Sequence, residues 1–327
     1  MWLPDHIQGP QPNGAANRGV GMTIGIAIRG PRAGLAAIAT LRSVELLGRG
    51  AIGGFCVFAF RDPDGEFHYA TTQDGGTAGL DLPNGWDQTD LAALISSGPN
   101  RPEPLTQFLP TRTDVGLVTG HRLPNSRLSD GIPINQRALE LMGQNVLDNT
   151  TLQQLVDQAP AMDAGLICLP PTGPCLIANS PRVTGRDDVG RYIFHQHDHA
   201  CAILHNSIYS ACLKGDALAA ALGAIGLEQM GIGQAALGFA TLPDQVKVVP
   251  GYEEYVQIDD TGRVLAIYSA DPAYAEARPR ITAIYSRVPI LRDGKRIGWA
   301  ATEVFARVAD LTLYPDDANR RFLYWRE

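Results

Sequence analysis

Apolar positions along this chain come in short runs cut by Gly, Pro, Asn and Asp, and the period of each run predicts an element. Thr23 to Ile28 is apolar and bounded by turn residues, as a buried strand is. Gly30-Pro31 turns the chain, and Pro31 suits the first turn of a helix because its missing N–H would have no intrahelical partner there. The predicted helix carries Leu35, Ile38, Leu41, Leu46 and Leu47 among alanines, pairs Arg42 with Glu45 on its wet side, and stops at Gly48-Arg49-Gly50. Phe55 to Phe60 and Phe67 to Thr72 read as a hairpin about the turn Asp62-Pro63-Asp64-Gly65. Asp90 to Ile95 reads as a helical patch, and Ser96 to Pro102 as loop.

Further on, Asp114 to Thr119 is a strand, and Asn135 to Met142 and Thr151 to Gln158 are short helices, the second with Thr150 or Thr151 as its cap. Ala164 to Leu169 and Pro174 to Ala178 form a second hairpin, Tyr192 to Ile208 reads as one histidine-rich strand, and Asp216 to Met230 is an alanine-rich helix. From Val246 onward the pattern is nearly all strand: Tyr255 to Ile258, Val264 to Tyr268, Ile281 to Val288 and Ile297 to Phe305. The expected class is α+β. Its parts are a loosely held arm (1–21), an α+β domain (22–240) and a strand-rich part (241–327), the last read as a second lobe or as an extension of the same sheets.

Composition narrows the function. A chain of 327 residues, 45% hydrophobic, can bury a sizeable core, while a net charge of −7 without a basic cluster argues against nucleic acid as a partner. No apolar run reaches the ~18 residues of a membrane span. Five cysteines form no C-x-x-C pair, which suits a reduced, cytoplasmic protein; Cys56, Cys168 and Cys212 lie among apolar neighbours as core residues do. The opening residues lack a charged start and an apolar core of the signal-peptide kind. Met22, directly before the first strand, is an alternative start whose removal would leave Thr23 as the amino-terminal residue.

The run MTIGIAIRG, a helix, GRGAIGGF, a hairpin and QDGGT, followed later by DVGLVTGHR and DAGLICLPPTGPCLIANS, resembles the N-terminal-nucleophile hydrolases in layout over roughly residues 22 to 210, without a shared diagnostic motif. The resemblance implies a layered αββα sandwich and hydrolysis of a small polar amide by an amino-terminal Thr, Ser or Cys, with no cofactor. Thr23 meets that requirement only after processing at Met22. A free α-amino group, with a pKa of about 7.7–8.0, then serves as base to its own hydroxyl. Loop residues supply the rest of the expected site. Asp74, Asn100, His121 and Arg122 fall in the catalytic set, with His121 as proton shuttle; Arg101, Asn125, Thr77 and Gly76 fall in the substrate-binding set. Arg101 or Arg122 would take a substrate carboxylate bidentately. The plainer alternative makes these turn residues and Thr23 an ordinary β-branched strand residue.

A rival constellation is His195-Gln196-His197-Asp198-His199-Ala200-Cys201. On one strand its two-residue period would put His195, His197, His199 and Cys201 on one face, and two histidines with a ligand such as His205, His121 or Asp198 would bind zinc for a metal-dependent hydrolase. Alternate strand residues are about 6.5–7 Å apart, so the outermost pair would not share an ion. A third reading, from another class, is a catalytically silent member of the same fold that binds a small ligand or forms a homo-oligomer.

Overall fold

The computed structural model describes residues 22–48, 52–316 and 320–327. The expected arm (1–21) and the Arg49-Gly50 end of the first helix's stop lie outside the described residues. The protein is mixed α+β with three sheets. The first sheet runs in the order β3-β2-β4-β1-β10-β9, all antiparallel, from β1 (Thr23–Arg29), β2 (Cys56–Arg61), β3 (Phe67–Thr72), β4 (Leu91–Ser96), β9 (Val189–Gln196) and β10 (His199–Asn206). The second, in sequence order, is β5 (Thr111–Arg112), β6 (Gly116–Arg122), β7 (Ala164–Leu169) and β8 (Leu176–Asn179).

Strand alternation decides what lies between them. Ile24, Ile26 and Ile28 of β1 face one way, into a core shared with α1 (Ala33–Leu47) and α5 (Gly215–Gln229). Ala27 faces the other way, with Val57, Ala93 and Leu204, against Leu117, Ile167 and Leu169 of the second sheet. The outer face of that sheet, with Val118, Leu166 and Cys168, is covered by α2 (Ile134–Gly143) and α3 (Asn149–Asp157). The layers therefore stack helix, sheet, sheet, helix, and β1 is buried along its whole length. Each fully buried isoleucine contributes about 1.5–3 kcal/mol of transfer free energy, so this strand anchors both inner layers. Arg42 and Glu45 pair at 3.2 Å as expected, although Glu45 is covered by Thr77 rather than wet, and Asp148, rather than either threonine, caps α3 by accepting the Thr151 N–H at 2.7 Å.

Three expectations are corrected. Leu91–Ser96 is strand β4, not a helical patch. It is buried on both faces, so the run shows no alternation, and apolar content alone does not separate a buried strand from a helix. The histidine-rich stretch is a hairpin, not one strand: β9 ends at Gln196, His197 takes a left-handed φ of 53° at the tip, and β10 starts at His199. Residues 297–305 are two strands, broken at Ala301-Thr302-Glu303.

The carboxy-terminal strands make a sheet of their own. Strands β11–β20, between Leu237 and Arg326, form a ten-stranded mixed sheet with a separate core that includes Val248, Ile267, Ile290 and Phe322. It starts at Leu237, slightly before the expected 241, and does not extend the first two sheets. Leu237, Leu323 and Trp325 pack into the α1–α5 core, and Arg326 pairs with Glu228 of α5 at 2.6 Å. A short helix α4 (Pro181–Thr184) links β8 to β9.

Candidate functional site

Thr23 opens the central strand, and the register of the sheet determines its neighbours. Asn206 lies directly opposite it on β10. On the other side the last paired residues are Ile24 and Ser96, so Ser97, one step further, continues the row past Thr23. The Thr23 side chain points between the two sheets, and its Oγ1 accepts the Arg122 backbone N–H at 3.0 Å from the end of β6. Arg122 takes a φ of 65° there, which turns the chain out of the strand. Four strand ends, from β1, β4, β6 and β10, thus meet at one mouth.

The groups at this mouth are buried and polar. Thr23, Ser97, His121, Asn206 and Ser207 are all essentially inaccessible. The Asn206 amide is without a hydrogen-bond partner at either Oδ1 or Nδ2 among the described residues. A buried carboxamide left unpaired costs on the order of 1–3 kcal/mol per group, so its retention needs a reason. Arg122 donates from Nε (3.0 Å) and Nη2 (2.9 Å) to Asp163 Oδ2, leaving buried Asp163 Oδ1 unpaired among the described residues. Arg186 holds Asp188 with two bonds, at 2.9 and 3.0 Å, and reaches Ser207 Oγ at 2.7 Å. That clamp, led by the Arg186 hydrogen bond, pulls the Asp188 carboxyl down to about 2 and braces the left-handed turn at Ser207 just after Asn206.

His121 is the buried base of the second sheet. Its Nε2 lies 2.9 Å from Asn179 Oδ1, which only accepts, so the ring proton sits on Nε2. Nδ1 is left as an unpaired acceptor among the described residues. Burial, the largest influence, lowers its pKa to about 4, so the imidazole is neutral near pH 7. Asn179, its partner, borders a cleft of about 440 Å³ together with Arg186, Val189 and Leu204, whereas His121 itself is buried behind it. A wider cleft of about 780 Å³, lined by Leu46, Cys212, Arg287, Glu303 and Trp325, holds none of these groups; the convergence of polar chains, not volume, marks the site.

The expected residues divide. Thr23, His121, Arg122 and Arg101 come together at the mouth. Arg101 reaches it by donating from Nη2 to Ser97 Oγ. Asn100 is exposed on the same loop, with a φ of 64° that aims Arg101 inward. Asn125 spends its amide on Gln107 Oε1 at 2.8 Å and serves loop packing. Asp74 accepts the N–H of Gly75, and Gly76 and Thr77 are held on α1: the Thr77 N–H donates to Glu45 Oε1 at 2.8 Å, and a Cβ on Gly76 would strike the same carboxylate. These three follow β3, three places along the sheet from β1, and do not join the cluster.

The histidines lie at the opposite end of β1, about 20 Å away for a strand of this length. Across the hairpin His195 pairs with Ala200 and His199 with Gln196, so the three rings do not form one row. Among the described residues no three His, Cys, Asp or Glu side chains are grouped to hold a metal ion. The tip has a packing role instead: buried Arg29 donates to Asp198 O at 3.2 Å, Pro170 O at 2.8 Å and Gly173 O at 2.7 Å, tying the hairpin to the second sheet. Cys201 and His205 face the helix layer side of β10 or its end, and the His205 ring lies 3.1 Å from Gly215 O at the start of α5. Cys56 and Cys168 are buried as expected, whereas Cys212 is exposed.

Ser97, Asn206, Asp163, Arg186 and Asp188 were not evident from sequence. The available signal was the polar His205-Asn206-Ser207 closing an apolar run, but its position beside Thr23 depends on strand order.

Among the described residues no helix is long and apolar enough to cross a membrane. No curated protein and no solved structure matches the chain. A second family model, described as a domain of unknown function (DUF7259), matches residues 245–321, within the ten-stranded sheet. The stacked layers and the Thr23 mouth fall within residues 23–239, which match a domain of unknown function (DUF6963), and the chain belongs to that family.

Proposed function

We propose that the protein hydrolyses the amide bond of a small polar molecule, with Thr23 as nucleophile once the chain before it has been removed. The observation that carries this reading is the place of the Thr23 hydroxyl: at the amino-terminal end of the central strand, between two sheets, 3.0 Å from the Arg122 N–H and opposite the unpaired Asn206 amide. The helix–sheet–sheet–helix order supports it too, being the arrangement implied by the resemblance to N-terminal-nucleophile hydrolases.

With the Met22–Thr23 bond cut, the Thr23 amine is the base nearest its own hydroxyl. It takes the hydroxyl proton as Oγ1 bonds to the substrate carbonyl carbon, and the carbonyl oxygen gains the negative charge. Asn206 Nδ2 is the unpaired donor at hand for that oxygen, while the Arg122 N–H holds Oγ1 in place. The C–N bond then breaks, the leaving amine carries off the proton, and water cleaves the Thr23 ester to free the acid and restore the hydroxyl. His121 Nδ1 is a second neutral base in the cluster for the water step. No metal or cofactor enters this scheme.

A second reading has an observation of its own. Met22 is only 2% exposed and packs into the α1 core, so losing its side chain would cost about 2–5 kcal/mol. A chain that keeps Met22 would use Thr23 as an anchor, and the cluster would hold a small ligand without reacting with it, in a monomer or a homo-oligomer.

One experiment separates them: mass analysis of the mature amino terminus, combined with turnover of a panel of small N-acyl amides. The expected result is an amino-terminal Thr23, with turnover falling about a thousandfold in Thr23→Ala. Turnover by protein that retains Met22, or undiminished turnover in Thr23→Ala, would overturn the hydrolase reading.

A further inference from the structure

Arg101 is built into the mouth in a way that a surface arginine is not. Gln73 clasps its backbone from both sides, donating from Nε2 to Arg101 O at 2.7 Å and accepting the Arg101 N–H on Oε1 at 2.9 Å. The loop is held further by Gln73 Nε2 on Glu103 Oε1 at 2.9 Å and by the Leu105 N–H on Glu103 Oε2 at 2.8 Å. From this fixed base the guanidinium reaches Ser97 Oγ, the row neighbour of Thr23. A long side chain with a preset stem loses little further freedom when it grips a ligand.

Its charge is uncompensated. Arg122 has Asp163 at 2.9 Å and Arg186 has Asp188 at 2.9 Å, but among the described residues no carboxylate forms an ion pair with Arg101. Glu103, the nearest acid in sequence, has both oxygens occupied elsewhere in the loop. Burial, and then the like charge of Arg122, pull the Arg101 pKa down, the signature of a partly desolvated cation facing another cation. A half-buried guanidinium without a counter-ion is unfavourable unless an anion arrives from outside, and its planar fork matches a carboxylate.

We propose that the Thr23 mouth takes an amide that also carries a carboxylate, and that Arg101 binds this carboxylate, with Ser97 between it and the reacting hydroxyl. Calling the ligand a substrate rests on the hydrolase reading above; the binding of a carboxylate at Arg101 does not. Arg122, already committed to Asp163, orients the Thr23 hydroxyl through its backbone instead.

The test is a titration of the full chain, as the Thr23→Ala variant so that nothing is consumed, with N-acetylglycine and separately with its uncharged analogue N-acetylglycinamide. Binding is followed by calorimetry and by the Arg101 side-chain Nε–H resonance, assigned through its absence in Arg101→Gln. N-acetylglycine is expected to bind on the order of tenfold tighter than the neutral analogue and to shift that resonance. Arg101→Gln should abolish the preference, Arg101→Lys should retain part of it, and Arg307→Gln on the distant sheet should leave it unchanged. Equal binding of both probes, binding of neither, or a preference that survives Arg101→Gln would each overturn the proposal. Because the readout is binding without turnover, a failed hydrolase reading leaves this result standing, and a failed carboxylate preference leaves turnover by Thr23 untouched.

Discussion

Asn206 stands directly across the β1–β10 ladder from Thr23, fully buried, with neither atom of its amide hydrogen-bonded among the described residues. Facing side chains in such a pair lie within about 4.5–5.5 Å at Cβ, so the polar side chain facing Thr23 across the ladder is one that the fold leaves unpaired. Stability alone would select an apolar residue here. Asn206→Leu is therefore expected to raise the urea midpoint, corresponding to about 1–2 kcal/mol of added unfolding free energy, while abolishing ligand binding and turnover. A midpoint that falls would show that Asn206 is satisfied in solution and has a structural role.

The Thr23 hydroxyl has a structural task whatever its chemistry. It is the acceptor for the Arg122 N–H, so Thr23→Val, which keeps the shape and removes the oxygen, should cost about 1–3 kcal/mol. Thr23→Ser should recover most of that. Chemical denaturation of the three proteins checks the order.

His121 predicts the pH dependence. Its folded pKa, about 4, is below the ordinary value of 6.5, so between these values the unfolded chain binds the proton and the folded one does not. Stability is then fully present above about pH 6.5 and is lost as the pH falls toward 4, by about 3 kcal/mol for this group. His205, lowered by burial, acts in the same direction. Unfolding free energies between pH 4 and 7 should show this slope, and His121→Gln should flatten it.

How much of this was legible in sequence depends on whether the signal is local. β1, α1 and the hairpin about Asp62–Gly65 follow from runs of neighbouring residues, and their bounds agree with expectation to within a residue or two. Leu91–Ser96 did not, because burial on both faces removes the period that distinguishes a strand. The His197-Asp198 turn was hidden because a histidine with φ of 53° occupies a place where Gly or Asn is the usual marker. Thr23 was singled out through the resemblance, and Arg101, His121 and Arg122 as polar residues of loops that follow strands. Ser97 and Asn206 were not, since their adjacency to Thr23 arises from strand order between segments far apart in the chain.

Gly25 offers a sharper test of the sandwich. A Cβ there would lie 2.2 Å from Gly120 O, 2.6 Å from its C and 2.8 Å from its Cα, all main chain, so the clash has no flexible side chain to relieve it. Gly25→Ala should destabilise by more than about 3 kcal/mol or prevent folding, as seen by circular dichroism and thermal melting.

The same contact has a consequence for traffic through the molecule. Packed sheets normally stand about 10 Å apart with side chains between them, but at Gly25 and Gly120 main chain meets main chain, and nearby Thr119 Oγ1 bonds across to Leu94 O at 2.9 Å. This seam acts as a bulkhead, with the buried polar cluster around Thr23 on one side and the oily interior around Ala27 and Leu117 on the other. A ligand that reaches the Thr23 hydroxyl from the strand ends would have to stop there, because no side chain stands between the two glycines to swing aside.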